Sequence, residues 1–407
     1  MVQEFAGVPS VVPRPVGELA PLLAWLRTGA GTDRRIDFPA GTALPDGRLD
    51  LCKQQLGPHG AQLVADALAE AAEAAEAAGA ARTAPDGGEA PVRHLLLGTD
   101  GLGDDGAAAF AERAAEIPVR TLYLGCNGIT AAGACRIADR LRASTQTVRA
   151  LWLKRNPLGI RAGQAAAELI AAVEQLRTLD LVQTGLDAAG LTVLVDALLA
   201  GGRHFERLYF SGNPLGPAGA EPLARLIAAG ATDELYASAA GLGDDGAHTL
   251  AAALRTAPHG RLRRLSLASS GLGPVAAAEL TAAAAAAGVE LLDLGRVPAA
   301  HVLGAADNRI DLAAADRIGA ALAAAPHRLD HLVLTHTGLR SREAHRLLDH
   351  AAVAASPTRY VLGKGIASSI RSRLNALSVT VPAPVPAPDV AAVHSVHRTA
   401  APGAEQD

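Results

Sequence analysis

Tyrosine and tryptophan are scarce in these 407 residues, four and two in all, yet four of the six stand at one point of a recurring phrase. Tyr123, Trp152, Tyr209 and Tyr236 each fill the middle of a triplet whose first residue is Leu: Leu122-Tyr123-Leu124, Leu151-Trp152-Leu153, Leu208-Tyr209-Phe210 and Leu235-Tyr236-Ala237. Side chains alternate along a strand, so a middle residue faces away from the core that takes its neighbours. Asp180 holds the same place between Trp152 and Tyr209, and Lys154, Arg207 and Glu234 stand beside the column. Solvent-facing amphipathic rings with a few charges have the chemistry of a surface that binds a protein or peptide, with Asp180 suited to a partner's cation. The competing reading is that Tyr and Trp are good strand formers on a half-exposed face. Their crowding into neighbouring phrases favours binding.

Other groups resemble reactive or metal-binding motifs without the required spacing. Gly103-Asp104-Asp105-Gly106 and Gly243-Asp244-Asp245-Gly246 open predicted helices, where Asp caps free backbone N–H groups. Neither run has the alternating oxygen ligands of a calcium loop. His327 and His331 straddle a turn, which separates them from one helical face, and His336, His345 and His350 follow at no ligand spacing. Cys126 and Cys135 have no His or acid placed by sequence to activate a thiolate. Phosphate-binding and nucleophile-elbow motifs are missing from the sequence. The expectation is therefore no catalytic residue, no metal and no cofactor.

The elements that carry the column repeat about every 28 residues. Phrases begin at Leu49, Leu95, Leu122, Leu151, Leu179, Leu208, Leu235, Leu265 and Leu332, each with Leu or Ile seven positions on. A polar residue falls between: Asp100, Asn127, Asn156, Thr184, Asn213 and Ser270 share one phase. These are read as structural, satisfying backbone groups of neighbouring turns. Between phrases run apolar-periodic stretches such as 164–173 and 191–199, which read as helices. A 20–29-residue period with L-x-L-x-x-N-x-L is the signature of leucine-rich repeats. The predicted fold is an α/β leucine-rich-repeat solenoid, a horseshoe of about ten strands, with parallel strands on the concave face and helices on the convex face.

The stretches Leu122-Tyr123-Leu124-Gly125-Cys126-Asn127-Gly128-Ile129 and Leu208-Tyr209-Phe210-Ser211-Gly212-Asn213-Pro214-Leu215 resemble the ribonuclease-inhibitor-like subtype, as does the long helical half of each unit. The resemblance covers roughly residues 92–365. It implies a surface for protein partners, as in ribonuclease inhibitors, the Ran GTPase-activating protein and innate-immune sensor arms. This chain departs from the Cys-rich, acidic inhibitors with only three Cys, and from the Ran activators in lacking an acidic tail. No functional residue is carried over from either.

Residues 1–34 are expected to cap the solenoid, which occupies 35–365, and 366–407 to form an extension with a Pro-rich linker (381–389) and a flexible tail. Residues 61–82 read as an Ala-rich helix, and 83–91 as a return loop. Residues 46–51 read either as a first repeat or as a hairpin arm. An insertion near 295–306 and the region 39–50 run into similar phrases, Asp46-Gly47-Arg48-Leu49-Asp50-Leu51 and Asp307-Asn308-Arg309-Ile310-Asp311-Leu312. The two insertions are read either as a rim around the binding face or as closures of the sheet ends.

A net charge of −4 gives no general attraction to nucleic acid or anionic membrane, and no apolar run spans a bilayer. An odd number of cysteines and no basic-then-apolar start predict a reducing, cytoplasmic setting. The expected function is a non-enzymatic interaction scaffold for an unidentified protein or peptide, with no nucleic-acid or membrane partner. The alternative is a regulator of a partner enzyme, as an inhibitor or a GTPase activator.

Overall fold

The computed structural model describes residues 10–77, 91–114, 117–142 and 147–397. The chain divides into two compact units, Met1–Thr184 together with Val385–Asp407, and Gly185–Pro384.

The first unit begins with helix α1 (Ala20–Arg27), whose Leu22, Leu23 and Leu26 are buried as it packs on α2 (Gly57–Ala77). Strands β1 (Ile36–Phe38), β2 (Gly41–Ala43) and β3 (Arg48–Asp50) form an antiparallel meander. From β3 the pairing turns parallel, through β4 (His94–Leu96), β5 (Thr121–Tyr123), β6 (Ala150–Trp152) and β7 (Thr178–Asp180). The strand at Leu49 is thus both readings at once, the last arm of a hairpin and the first rung of the parallel stack. Helices α3 (Gly103–Ala114), α4 (Ala131–Arg142) and α5 (Ala162–Ala172) alternate with the strands and pack side by side after α2. The predicted helix over 61–82 is present through Ala77; its end and nearly all of the loop 83–91 lie outside the described residues.

Leu49, Leu95, Leu122, Leu151 and Leu179 pair directly across this sheet, and all are buried. Each strand is only three residues long because the chain then turns sharply. Thr99, Cys126, Arg155 and Gln183, at one phase, adopt positive φ, a conformation unfavourable for residues with a Cβ. The next residue repays that strain. Asn156 donates from Nδ2 to the carbonyls of Leu124 and Leu153, at 2.9 and 2.8 Å, and its Oδ1 accepts from the N–H groups of Asn127 and Ile129. Asn127 bridges its own turn and the preceding one in the same way.

The second unit repeats the design with β8 (Phe205–Tyr209), β9 (Thr232–Tyr236), β10 (Arg264–Ser266), β11 (Leu291–Asp293), β12 (His331–Leu334) and β13 (Arg359–Leu362), parallel throughout. Its helices are α6 (Ala188–Ala200), α7 (Ala220–Ala228), α8 (Gly243–Thr256), α9 (Pro274–Ala286), α10 (Leu312–Ala324), α11 (Ser341–Ala351) and α12 (Ser368–Leu377). Helix α12 closes the unit's end: Arg371 donates to the carbonyls of Leu362 and Gly363 at the close of the last strand.

Among the described residues, seven strands in the first unit and six in the second exceed the ten or so expected, because β1 and β2 of the meander and the strands at Leu292 and Tyr360 carry weak or altered phrases. Two further expectations change. The similar phrases at 46–51 and 307–312 occupy different places: the first is a turn and strand, while the second supplies a rung and a helix start. Asn308 donates to the carbonyls of Leu267 and Leu294 and accepts from the N–H groups of Ser270 and Leu272, as Asn156 does in its own unit. Asp311 then caps α10 by accepting from Ala314 N–H. The tail also differs, because residues 385–397 pack into the first unit instead of hanging free; 398–407 lie outside the described residues.

Asp100 takes the rung position with a carboxyl in place of an amide. One oxygen accepts from Gln54 N–H at 2.7 Å; the other is buried with no hydrogen-bond partner among the described residues. Burial pushes its pKa well above the ordinary value of 3.8, so the folded state favours the neutral acid. The unfolded chain releases that proton at the ordinary value. Stability from this site is therefore full below about pH 4 and falls as pH rises towards the raised pKa. Asp100→Asn supplies a donor without a charge. It is expected to raise the thermal midpoint at pH 7 by a few degrees, about 1–2 kcal/mol, with the gain shrinking towards pH 4. A midpoint at pH 7 that is unchanged or lowered would refute the assignment. Asn156→Ala strands four buried backbone groups and is expected to cost at least about 3 kcal/mol in urea denaturation.

Candidate functional site

The eight residues singled out by sequence divide evenly between the units. Tyr123, Trp152, Lys154 and Asp180 belong to the first, and Arg207, Tyr209, Glu234 and Tyr236 to the second.

In the first unit the column is not turned to solvent as the sequence suggested. Tyr123 is 1% exposed, Trp152 5% and Asp180 2%. The Tyr123 ring lies across two glycines: a Cβ at Gly98 would collide with its Cε1, and one at Gly125 would stand 2.9 Å from its hydroxyl. Trp152 packs beside it with ring centroids 6.5 Å apart, and Lys154 Nζ sits 5.5 Å from the Tyr123 centroid, within cation–π range. Asp180 turns its carboxylate onto its own chain, accepting from Val182 N–H at 2.7 Å. It is not held out to a partner's cation as the sequence suggested.

The end of the chain contributes to this face. Asp389, in a helical turn at Pro388–Ala391, accepts from the Thr178 hydroxyl at the start of β7. The His394 carbonyl accepts from Arg48 on β3. Asp50, also on β3 and fully buried, accepts from the Ser395 hydroxyl at 3.0 Å and from Val396 N–H at 2.6 Å. His397 Nε2 lies 3.2 Å from the Thr42 hydroxyl on β2. Ala392, Val393 and Ser395 are buried. Sequence reasoning missed this contact. Asp50 was recognisable, since Leu49-Asp50-Leu51 puts it in the column; the tail has no repeat that would have placed it.

In the second unit the column is built more openly. Tyr209 and Tyr236 are half-buried and stack at a centroid distance of 4.5 Å and an angle of 9°. The Tyr236 hydroxyl donates to Glu234 at 2.8 Å. Glu234 is buried and lies 3.4 Å from the guanidinium of Arg207 and 3.6 Å from that of Arg264. Burial, with the Glu234 charge beside it, pushes the Tyr236 phenol far up, which keeps it a donor. Beyond it the Ser238 hydroxyl lies 2.8 Å from that of Ser266, and Ser266 donates to Asp293, whose pKa is raised by burial. No imidazole is hydrogen-bonded to either serine among the described residues. The line is therefore a set of fixed donors and acceptors and not an activated nucleophile.

The remaining candidates are dispersed. Asp104 and Asp244 brace the turn of the following repeat instead of capping their own helices: Asp104 accepts from Thr130 N–H and hydroxyl, and Asp244 from Gly273 N–H. Stacking in register sets each helix start beside the next turn, which makes the neighbour's N–H the nearer donor. His350 pairs with Asp316, and His345 with Asp349. Among the described residues no group of three or more His, Cys, Asp or Glu is placed to hold a metal, and no helix is long and apolar enough to cross a membrane.

A family model described as Leucine Rich repeat matches residues 203–224, from just before β8 into α7. No curated protein matches the chain in sequence. Among solved structures it is similar to the leucine-rich-repeat-containing protein LegL7 from Legionella pneumophila, 17% identical, covering 72% of this chain and 92% of that one at a TM-score of 0.47. It is also similar to a chain of the Rad7 and Elc1 complex in yeast, 13% identical over 83% of this chain and 81% of that one, at 0.48. A third likeness is to a TLR13–ssRNA13 complex, 15% identical over 61% and 33% of the two chains, at 0.35. With the repeat matched in sequence at 203–224 and the same strand, turn and helix recurring in both units, the chain is a leucine-rich-repeat protein.

Proposed function

We propose that this protein is a non-enzymatic interaction scaffold that binds a protein or peptide partner on its strand faces. The observation that carries this reading is the stacked Tyr209–Tyr236 pair. The half-buried Tyr236 ring is fixed by a buried Glu234 that Arg207 and Arg264 neutralise, and Tyr209 stacks on it. Rings that are rigid before binding lose little conformational entropy when a partner covers them. Tyr123, Trp152, Lys154 and Asp180 form the corresponding part of the first unit. A cytoplasmic setting and the ribonuclease-inhibitor-like subtype complete the reading. They rest on the free cysteines and on the long helical half of each repeat.

Selection of displayed peptides on the purified full chain tests this. Enriched peptides are expected to bind Tyr209→Ala/Tyr236→Ala at least tenfold more weakly, about 1.4 kcal/mol, and to bind Val275→Ala, on the exposed side of α9, unchanged. Enrichment that ignores both tyrosines would sink the reading. The support beneath the rings has its own signature. Glu234→Ala leaves two guanidinium groups facing each other and is expected to cost about 3–5 kcal/mol in urea denaturation. Tyr236→Phe removes one hydrogen bond and is expected to cost about 1 kcal/mol.

A further inference from the structure

The first unit's strand face already holds a peptide, its own chain end. Asp389 is bound at β7 and Ser395 at β3, with β4, β5 and β6 between them. Residues 388–391 of this segment are wound into a helical turn, and the side chains of Asp389 and Ser395 reach the two outer strands. The chain between those two contacts therefore passes the intervening strands, those of Tyr123 and Trp152 among them.

Its contacts are those a bound peptide makes. Backbone groups are read near its end, by Arg48 on the His394 carbonyl and by Asp50 on Val396 N–H. One hydroxyl, of Ser395, is read by the same carboxylate. Between these bonds and the Asp389 contact lie the small apolar side chains of Ala392 and Val393, both buried. Asp50 is fully buried, and among the described residues its hydrogen bonds come from Cys52 N–H and from the tail. A carboxylate removed from water depends on such donors, so its pocket suits a ligand that brings them. The stretch before the segment, 382–386, is exposed and extended, so it acts as a tether.

We propose that residues 388–397 are an internal ligand. They mask a groove on the first unit that takes an external peptide of the same chemistry: an acidic residue in a helical turn, then small aliphatic side chains, then a hydroxyl and a backbone N–H for Asp50. This rests on the interaction reading and adds which peptide the first unit takes and what keeps it out. Tethering holds the internal copy at an effective concentration in the millimolar range, so an external copy enters only when the tail is displaced.

The chain supplies its own reporter. Trp25 and Trp152 are its two tryptophans, so Trp25→Phe leaves Trp152, on one of the strands the tail passes, as the sole indole. In that full-length background, Val393→Asp/Ser395→Asp sets new carboxylates against the buried face and Asp50. Trp152 emission is expected to move to longer wavelength, with acrylamide quenching raised at least twofold. A labelled synthetic peptide of residues 385–397 is expected to bind the opened protein saturably, at least tenfold tighter than the closed one. A peptide with Asp at position 395 is expected not to bind.

Equal shielding of Trp152 in both proteins, or equal peptide binding to both, overturns the proposal. If the double variant loses its helical circular dichroism, a specific-protease site placed at 383–386 opens the contact in an otherwise unaltered tail. Excess 385–397 peptide must then compete with the cut end, and its failure to do so also overturns the proposal. Display-selected peptides that need Tyr209 and Tyr236 separate the two readings. Binding of these peptides equally to opened and closed protein, with no tail-peptide binding, leaves the scaffold standing and removes only the internal ligand.

Discussion

Much of this molecule hangs on the side-chain amides of Asn127, Asn156, Asn213 and Asn308, which close their turns. A three-residue strand makes too few backbone bonds to hold a sheet together by itself. The chain leaves most of the parallel strands through a residue at positive φ, which exposes N–H and C=O groups to a dry interior. Asn127, Asn156 and Asn308 each reach two carbonyls and at least one N–H with one planar group, and so bind each turn to its neighbour. Because the bonds cross between turns, the stacking of repeats and the closure of each turn are one event. Repeat proteins depend on such nearest-neighbour terms, since no repeat buries its own apolar face alone.

The same constraint explains the chemistry of the strand faces. Strands in strict register bring the middle residues of adjacent repeats one strand spacing apart, so rings stack and charges meet without any loop to arrange them. Tyr209 over Tyr236 and Glu234 between Arg207 and Arg264 are direct products of register. A column so close-packed shields its own members, and Tyr123 settles onto Gly98 and Gly125 because those positions carry no side chain.

The fold was almost fully legible in the sequence, because the Leu phase and the strand period are local signals that agree with the global packing. The column's register was legible too, since its members pair across adjacent strands. Its exposure was not. Pattern sets Tyr123 apart from the leucine positions, but its burial depends on Gly98 one repeat back and on Gly125 in its own turn. Asp50 shows the difference well: its place in the column follows from Leu49-Asp50-Leu51, whereas its partners, Ser395 and Val396, follow from no periodicity at all. The similar phrases at 46–51 and 307–312 misled for a related reason, since likeness of sequence over six residues did not survive a difference in position relative to the rung.

The loop between Leu294 and Asn308 has a bearing on how such chains diversify. Eleven additional residues separate strand from amide there, yet Asn308 meets the same backbone groups as its uninterrupted counterparts, and Ile310 lands in the core beyond it. Strand and rung are thus separable parts that tolerate foreign sequence between them without a slip in phase. That junction is a natural port for grafting: a recognition loop of any composition can be spliced in beside the strand face while the scaffold beneath keeps its spacing.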